Sequence, residues 1–181
     1  MIAAARGPDA RALRVMFMDE ARFGRINRPV RCWAPPGVRP VVACQMVREY
    51  LYAYGAVCPA DGALISLVLP SMHTECFEAF CAEIARRHPD ELTILVCDGA
   101  ASHVTGQLAL PENLRILTLP PYSPELNPVE QLWDLIRESW FSNIAHKSLD
   151  AVQDALVTGL RSLEAAPDKI RSLTHRHWIP T

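Results

Sequence analysis

The sequence predicts an α/β domain built on a mixed five-stranded sheet with helices on both faces. Three observations lead to this prediction. The apolar run LTILVC, residues 92–97, is continuous, as expected of a central strand covered on both faces. The segments YLYAYGAV and ALISLVL are strands joined by a Pro-Ala-Asp-Gly turn. The segment HTECFEAFCAEIARRH has apolar residues at helical spacing, with Thr74 as its expected cap.

The other elements alternate in type along the chain. LRVMFMDE predicts a first strand that ends near Asp19, and the proline-, glycine- and arginine-rich stretch after it predicts an extended loop or hairpin. A short, weakly helical piece is expected after Asp98-Gly99. The strand LRILTL, a helix from about Pro128 to Trp140 and a last helix over roughly 149–163 complete the order. Three antiparallel strands are therefore followed by strands that alternate with helices.

Composition narrows the class of protein. The 181 residues suit a single domain, 1–181, and half of them are apolar. No apolar run reaches the length of a membrane span, and charged residues interrupt the start too early for a signal peptide, so we expect a cytoplasmic protein. The six cysteines show neither CxxC pairs nor zinc-ligand spacing. We expect Cys76, Cys81 and Cys97 to be small buried hydrophobes.

Charge is distributed unevenly, although the net charge is only −2 at pH 7. Residues 1–50 contain nine arginines and four acidic residues, whereas the remainder is acidic. This asymmetry is equally compatible with an anionic partner near the N-terminal third and with a solvated basic face.

Two aspartates stand at the ends of predicted strands. Asp19 ends the first strand, and Asp98 follows the strand that reads as most buried. Ligands gather at the carboxyl ends of strands in α/β sheets, and a charged residue after an apolar run has to be hydrated, paired or bound to metal. The plainer interpretation is that each Asp terminates a strand in a turn, which Asp98-Gly99 suits.

Glu130 has a structural interpretation as well. Asn127-Pro128-Val129-Glu130 resembles a capping box with a proline start. A carboxylate in the first turn also feels the positive end of the helix dipole and stays ionised, as a metal ligand must. Carboxylates gathered around Mg²⁺ are suited to phosphodiester chemistry, so Glu130 can be both a cap and a site residue.

Five stretches together resemble the DDE endonuclease domain of bacterial insertion-sequence transposases of the mariner superfamily. They are FMDEARFGR, RCWAPPGVRP, YGAVCPADG, LVCDGAASH and LPPYSPELNPVEQLWDLIR. The likeness extends from about Val15 to Leu163, and the proline-rich block ending in Asn-Pro-Val-Glu is its most specific part. It implies an RNase H-like fold, the integrase and transposase catalytic core.

The resemblance also implies a site and a reaction. Asp19, Asp98 and Glu130 match the catalytic and metal-binding triad, which would hold two Mg²⁺ (or Mn²⁺) ions. The reaction would be DNA cleavage by water, followed by strand transfer from the freed 3′-hydroxyl, in a homodimer on DNA. The candidate DNA contacts are Arg22, Arg25, Arg28, Arg31 and His103.

Neighbouring residues are weaker candidates. Glu20 is expected to face away from Asp19, and Asp134 is the substitute if the third acid is misassigned. Trp33 is interpreted as a core residue rather than one that stacks on a base.

The family's N-terminal helix-turn-helix is expected to be absent, because only about a dozen residues precede the first strand. A separately encoded helix-turn-helix subunit would then be a partner. The alternatives are a catalytically silent remnant that only binds DNA or protein, and an RNase H-like nuclease acting outside transposition.

Overall fold

The structure is a computed structural model that describes residues 2–27, 29–99, 108–121, 123–176 and 179. Five strands form one sheet in these residues. The strands are β1 (Ala12–Ile26), β2 (Met46–Val57), β3 (Leu64–Leu69), β4 (Glu91–Cys97) and β5 (Leu114–Thr118). The helices are α1 (Ile2–Arg6), α2 (Thr74–Arg87), α3 (Glu130–Ile136), α4 (Leu149–Glu164) and α5 (Pro167–Thr174). A 3₁₀ turn, Pro124–Leu126, precedes α3, and a π-helical turn, Arg137–Phe141, follows it.

The sheet is mixed, as the sequence predicts. The strand order is β3-β2-β1-β4-β5. β1 pairs antiparallel with β2 and parallel with β4, and β4 pairs parallel with β5. The antiparallel half therefore comes first along the chain and the parallel half second.

The first strand is longer than predicted. It does not end near Asp19 but continues to Ile26, because pairing with β2 extends past Gly24, whereas pairing with β4 stops at Phe17. Asp19 thus lies inside β1, level with the end of the neighbouring parallel strand. The expected loop is confined to residues 27–45, between β1 and β2.

The two faces of the sheet carry separate cores. Along β1, Phe17, Ala21 and Phe23 pack with α3, α4 and α5, whereas Met16 and Met18 pack with α2. This alternation is the two-residue period of a strand covered on both faces. It confirms helices on both sides and puts Asp19 on the α3 face.

Four local predictions need correction. Trp33 is 103% exposed rather than buried, because it lies in the β1–β2 loop away from both cores. Thr74 is the first residue of α2 and not its cap; His73 holds that position without a side-chain cap bond. α3 ends at Ile136 and passes into the π-helical turn, and α5 was not predicted at all. The helical piece expected after Gly99 lies outside the described residues.

The cysteines differ in exposure. All six are free thiols; Cys58, Cys81 and Cys97 are buried, Cys76 is half-buried, and Cys32 and Cys44 are exposed. Burial, with a smaller contribution from Cys97, raises the pKa of Cys81 to about 12. No helix in the described part of the chain is long and apolar enough to span a membrane.

Thiol labelling with a disulfide reagent at pH 8 should therefore separate these groups. We expect Cys32 and Cys44 to react rapidly, and Cys58, Cys81 and Cys97 to react only when the protein unfolds, because thiolate fraction and access set the rate. Mass spectrometry of partly labelled protein identifies the order. Labelling of Cys81 as fast as Cys32 in the folded protein would contradict the packing of α2.

Candidate active site

Two of the predicted acids come together at one edge of the sheet. β1 and β4 run parallel with Phe17 opposite Val96, so Asp19 and Asp98, each two residues further on, stand level with one another. β4 ends at Cys97, whose carbonyl accepts a hydrogen bond from Leu119 N–H at 2.8 Å. Asp98 is exposed at that end, whereas Asp19 is half-buried inside β1.

Asp19 lies against the helix that follows the proline-rich block. Trp133 of α3 donates its indole N–H to Asp19 Oδ2, with 2.9 Å between Nε1 and Oδ2. Burial raises the pKa of Asp19 to about 7; the Trp133 hydrogen bond lowers it, and the charges of Glu20 and Asp98 raise it. The carboxyl of Asp19 thus loses its proton at a higher pH than an ordinary aspartate does.

Glu130 begins the same helix and is exposed. The turn before it is fastened to the sheet, because Asn127 Nδ2 donates to the carbonyl of Met18 at 2.9 Å. Asn127 Oδ1 accepts from Val129 N–H at 3.2 Å. The prediction that Asn127 is the N-cap is nevertheless wrong, because the N-cap of α3 is Val129, which makes no side-chain cap bond, and the helix begins at Glu130. The second half of a capping box is missing from the bonds of the described residues, where none joins the Glu130 carboxylate to Asn127 N–H.

The three acids do not form a closed cage in this structure. Within the described ranges, no group of three or more His, Cys, Asp or Glu side chains is placed to hold a metal ion. Asp19 and Asp98 both lie level with the carboxyl end of β4, and Asn127 connects the start of α3 to β1. The side chains of Asp98 and Glu130, however, are exposed to solvent.

The alternative acids have other surroundings. The charge of Glu20 raises the pKa of both Tyr54 and Cys81, which belong to the core under α2, so Glu20 is on the opposite face from Asp19 as expected. Asp134 is exposed and pairs with Arg137 at 3.5 Å.

A cavity of about 770 Å³ opens between β1, β2 and the π-helical turn, beside α3. Arg22, Arg31 and Arg137 line it, together with the aromatic rings of Tyr50 and Phe141. Arg22 lies over the Tyr50 ring, with 4.5 Å between the guanidinium carbon and the ring centroid. The cavity therefore combines cationic groups and aromatic rings with two acidic residues, Asp134 and Glu138.

The remaining predicted DNA contacts differ in placement. Arg25 already donates to the carbonyls of His146 and Lys147, at 3.1 and 2.7 Å, and pairs with Glu49 at 2.8 Å. Its guanidinium thus fastens the β1–β2 hairpin to residues 146–147. Arg28 and His103 lie outside the described residues.

Two residues that contact or face Asp19 are not singled out by any sequence motif, Trp133 and Gly55. Gly55 pairs with Asp19 across β1 and β2, and a Cβ on it would lie 2.7 Å from Cη2 of Trp133. The only local signal was a tryptophan three residues after Glu130, where a turn of helix brings both toward one side.

Solved structures show the class of fold. The Mos1 transposase paired-end complex with left transposon end is 14% identical with a TM-score of 0.57, covering 98% of this chain and 60% of that chain. The simian T-cell lymphotropic virus intasome in complex with PP2A regulatory subunit B56 gamma is 11% identical with a TM-score of 0.58, covering 96% and 58%. These similarities and the mixed five-stranded sheet define an RNase H-like fold, as predicted.

Sequence comparison then shows the family. Residues 14–153 match the DDE superfamily endonuclease model. The chain belongs to that family. An uncharacterized protein of Sinorhizobium fredii (strain NBRC 101917 / NGR234), y4pE/y4sA, is 40% identical over 130 residues, which are 71% of this chain and 96% of that protein. The chain spans about 60% of the Mos1 chain that it resembles.

Proposed function

We propose that this chain is the catalytic domain of a bacterial insertion-sequence transposase of the mariner type, which cleaves DNA and transfers the freed strand. The observation that carries the proposal is the link between β1 and α3: Asp19 stands level with Asp98 and is hydrogen-bonded to the helix that begins with Glu130. Membership of the DDE superfamily endonuclease family supports it. Similar solved structures include a Mos1 strand transfer complex and Mos1 paired-end complexes with Mn and with Mg.

The acidic residues suit a hard divalent cation. All three donors are carboxylates, and Mg²⁺ prefers oxygen ligands while keeping several waters, so it needs no closed protein cage. Asp19 and Asp98 would hold two ions between them, with Glu130 completing one shell from the helix side. When bound, such ions supply the Lewis acidity that activates an attacking oxygen and stabilises a leaving one.

The surrounding residues define what the chain itself contributes. Trp133 fixes one oxygen of Asp19, and Asn127 fixes the turn before Glu130. The exposure of Asp98 and Glu130 leaves the edge of the sheet open to a DNA backbone. For the complete transposase we propose a homodimer bound to DNA at the transposon ends.

A nicking assay tests the proposal. The purified chain is incubated with Mn²⁺ and supercoiled DNA carrying its transposon ends, and nicked product is quantified on gels. We expect Asp98→Asn to reduce nicking at least about a thousandfold, because metal-ion catalysis supplies several kcal/mol of transition-state stabilisation. Asp90→Asn is the matched control: Asp90 is exposed and precedes the opposite end of the same strand, so its loss should leave nicking unchanged.

One observation favours a second candidate, the catalytically silent remnant that binds only DNA or protein. It is the lack, among the described residues, of a group of three acids already placed for a metal. If the chain is such a remnant, millimolar Mn²⁺ should neither raise the melting temperature of the wild type nor produce nicks. A melting temperature that rises with Mn²⁺ in the wild type but not in Asp98→Asn excludes it.

Arg22 and Arg31 are the cavity arginines that we propose as phosphate contacts, since both are exposed. The double substitution Arg22→Ala, Arg31→Ala should weaken DNA binding and reduce the slope of log K against log salt by about two, one counterion per lost contact. Fluorescence anisotropy at several salt concentrations measures both. Arg86→Ala, Arg87→Ala in the last turn of α2, outside the cavity, is the control, and an equal loss there would refute the assignment.

A further inference from the structure

We infer that Trp133 is a positioning residue for the acidic site: its indole N–H holds the first acid, Asp19, in register with the helix that carries the third, Glu130. The inference rests on the proposed function, since it assumes that these acids bind metal. It assigns a role beyond packing to a buried residue whose indole N–H is a donor and therefore cannot ligate a metal ion.

The indole has little freedom to move. Trp133 is 2% exposed, and its ring meets Phe23 edge to face, with 6.1 Å between centroids and planes inclined by 68°. The space that a Cβ on Gly55 would occupy is within 2.7 Å of Cη2 and 3.0 Å of Cζ2 of the same ring. Gly55 therefore admits the ring at the pair position opposite Asp19. The N–H is aimed at the carboxylate by packing from two sides.

The hydrogen bond uses one oxygen and leaves the other. Nε1 of Trp133 donates to Oδ2 at 2.9 Å. The backbone N–H of Glu20 also donates to this carboxylate. An ionised carboxylate offers about four lone-pair positions, so about two stay available to a cation beside these two hydrogen bonds. Because the indole N–H is only a donor, it fixes the orientation of a carboxylate oxygen without competing for a cation. This is the arrangement that orients metal ligands in other proteins through a partner that does not itself bind the ion.

A second hydrogen bond, from Asn127, also connects β1 to the segment that carries Glu130. Asn127, 7% exposed, donates to the carbonyl of Met18, the residue before Asp19. Asn127 and Trp133 thus fasten the chain to adjacent residues of β1, and Glu130 lies between these two anchors in sequence. The backbone of Glu130 is thereby held at a defined place relative to Asp19 before any ion binds.

The test compares Trp133→Phe with Trp140→Phe in the full chain without DNA. Phenylalanine keeps an aromatic ring but removes the donor. Trp140 is half-buried and packs over Gly159, where a Cβ would lie 3.0 Å from it, away from the acids. The Mn²⁺ dissociation constant is measured by calorimetry at pH 7.5, and melting temperatures are recorded in parallel. We expect Trp133→Phe to weaken Mn²⁺ binding about tenfold, as loss of a ligand-orienting partner does elsewhere, and Trp140→Phe to leave it unchanged.

A shape-preserving variant separates the hydrogen bond from packing. Site-specific 3-benzothienylalanine at position 133 keeps the bicyclic ring and replaces the N–H by sulfur. The same tenfold loss without a fall in melting temperature supports positioning, including where Trp133→Phe fails to fold. Unchanged Mn²⁺ affinity in the benzothienyl variant overturns the inference.

The result is distinguishable from a failure of the proposed function. If Asp19→Asn leaves Mn²⁺ binding intact, the acids are not the metal site and both proposals fall. If Asp19→Asn abolishes binding while the benzothienyl variant binds normally, the metal site stands and only the role of Trp133 is refuted.

Discussion

Replacing Asp19 by Asn should abolish DNA nicking and, at the same time, make the metal-free protein more stable above neutral pH. Burial raises the pKa of Asp19 to about 7, above the ordinary 3.8, so the folded state holds this proton more tightly than the unfolded chain does. The stability that this provides is fully present below about pH 4 and is lost as the pH rises through about 7. Asn keeps an oxygen that accepts the Trp133 N–H and carries no charge to desolvate.

The expected gain is about 2–4 kcal/mol in free energy of unfolding at pH 8, since each pKa unit corresponds to about 1.4 kcal/mol, and close to zero at pH 4. Urea denaturation at both pH values measures it. Nicking should fall at least about a thousandfold because a metal ligand is lost.

Asp61→Asn is a control for which the expected change in the free energy of unfolding at pH 8 has the opposite sign. Although partial burial raises the pKa of Asp61, hydrogen bonds from Ala63 N–H and Arg14 lower it overall. Asp61 therefore contributes stability above its unfolded pKa that is lost as the pH falls through its folded value. Asp61→Asn should destabilise the protein at pH 8 without affecting nicking. A destabilising effect of Asp19→Asn at pH 8 would mean that Asp19 is not strained by burial.

Asn127→Ala should produce the second large effect, a loss of both stability and activity. The substitution removes the donor to Met18 O and the acceptor of Val129 N–H, both in a buried environment. Leaving such groups unpaired costs about 1–3 kcal/mol. Nicking should fall about a hundredfold, because a shift of about 1 Å in a positioned group has effects of that size.

Asn113→Ala provides the matched comparison. Asn113 Nδ2 donates to the carbonyls of Ala85 and His88, at 3.1 and 2.9 Å, beside the α2 end of the molecule. It should lower the free energy of unfolding similarly and leave nicking at the wild-type level below the melting temperature. Equal nicking in the two variants would show that Asn127 matters only for folding.

Much of the fold follows from local patterns that the sequence displays directly. Continuous apolar residues in 92–97 predict a strand covered on both faces, and the structure has β4 buried in the middle of the sheet. The period of two along β1 predicts that Asp19 and Glu20 face opposite ways, which their separate surroundings bear out. Periodicity depends only on near neighbours in the chain, so it can be read without a structure.

The incorrect predictions concern features that depend on residues far away in the sequence. β1 continues past Asp19 because β2 supplies hydrogen-bond partners up to Ile26, and strand length depends on that pairing rather than on the residues of β1 alone. Trp33 is a large aromatic residue of the kind expected in a core, but it lies in the β1–β2 loop, outside both hydrophobic cores. The sequence alone does not indicate which apolar side chains remain exposed after folding.

By itself, the sequence determined the class of fold, the family resemblance and the identity of the three candidate acids. Only the tertiary structure decided how they are held: Trp133 meets Asp19 across 114 residues of chain, and Asn127 meets Met18 across 109. Such contacts form because two faces of one core pack together, and their geometry depends on every element between them. A single residue such as Gly55 acquires its role only there, as the space into which the indole of Trp133 fits.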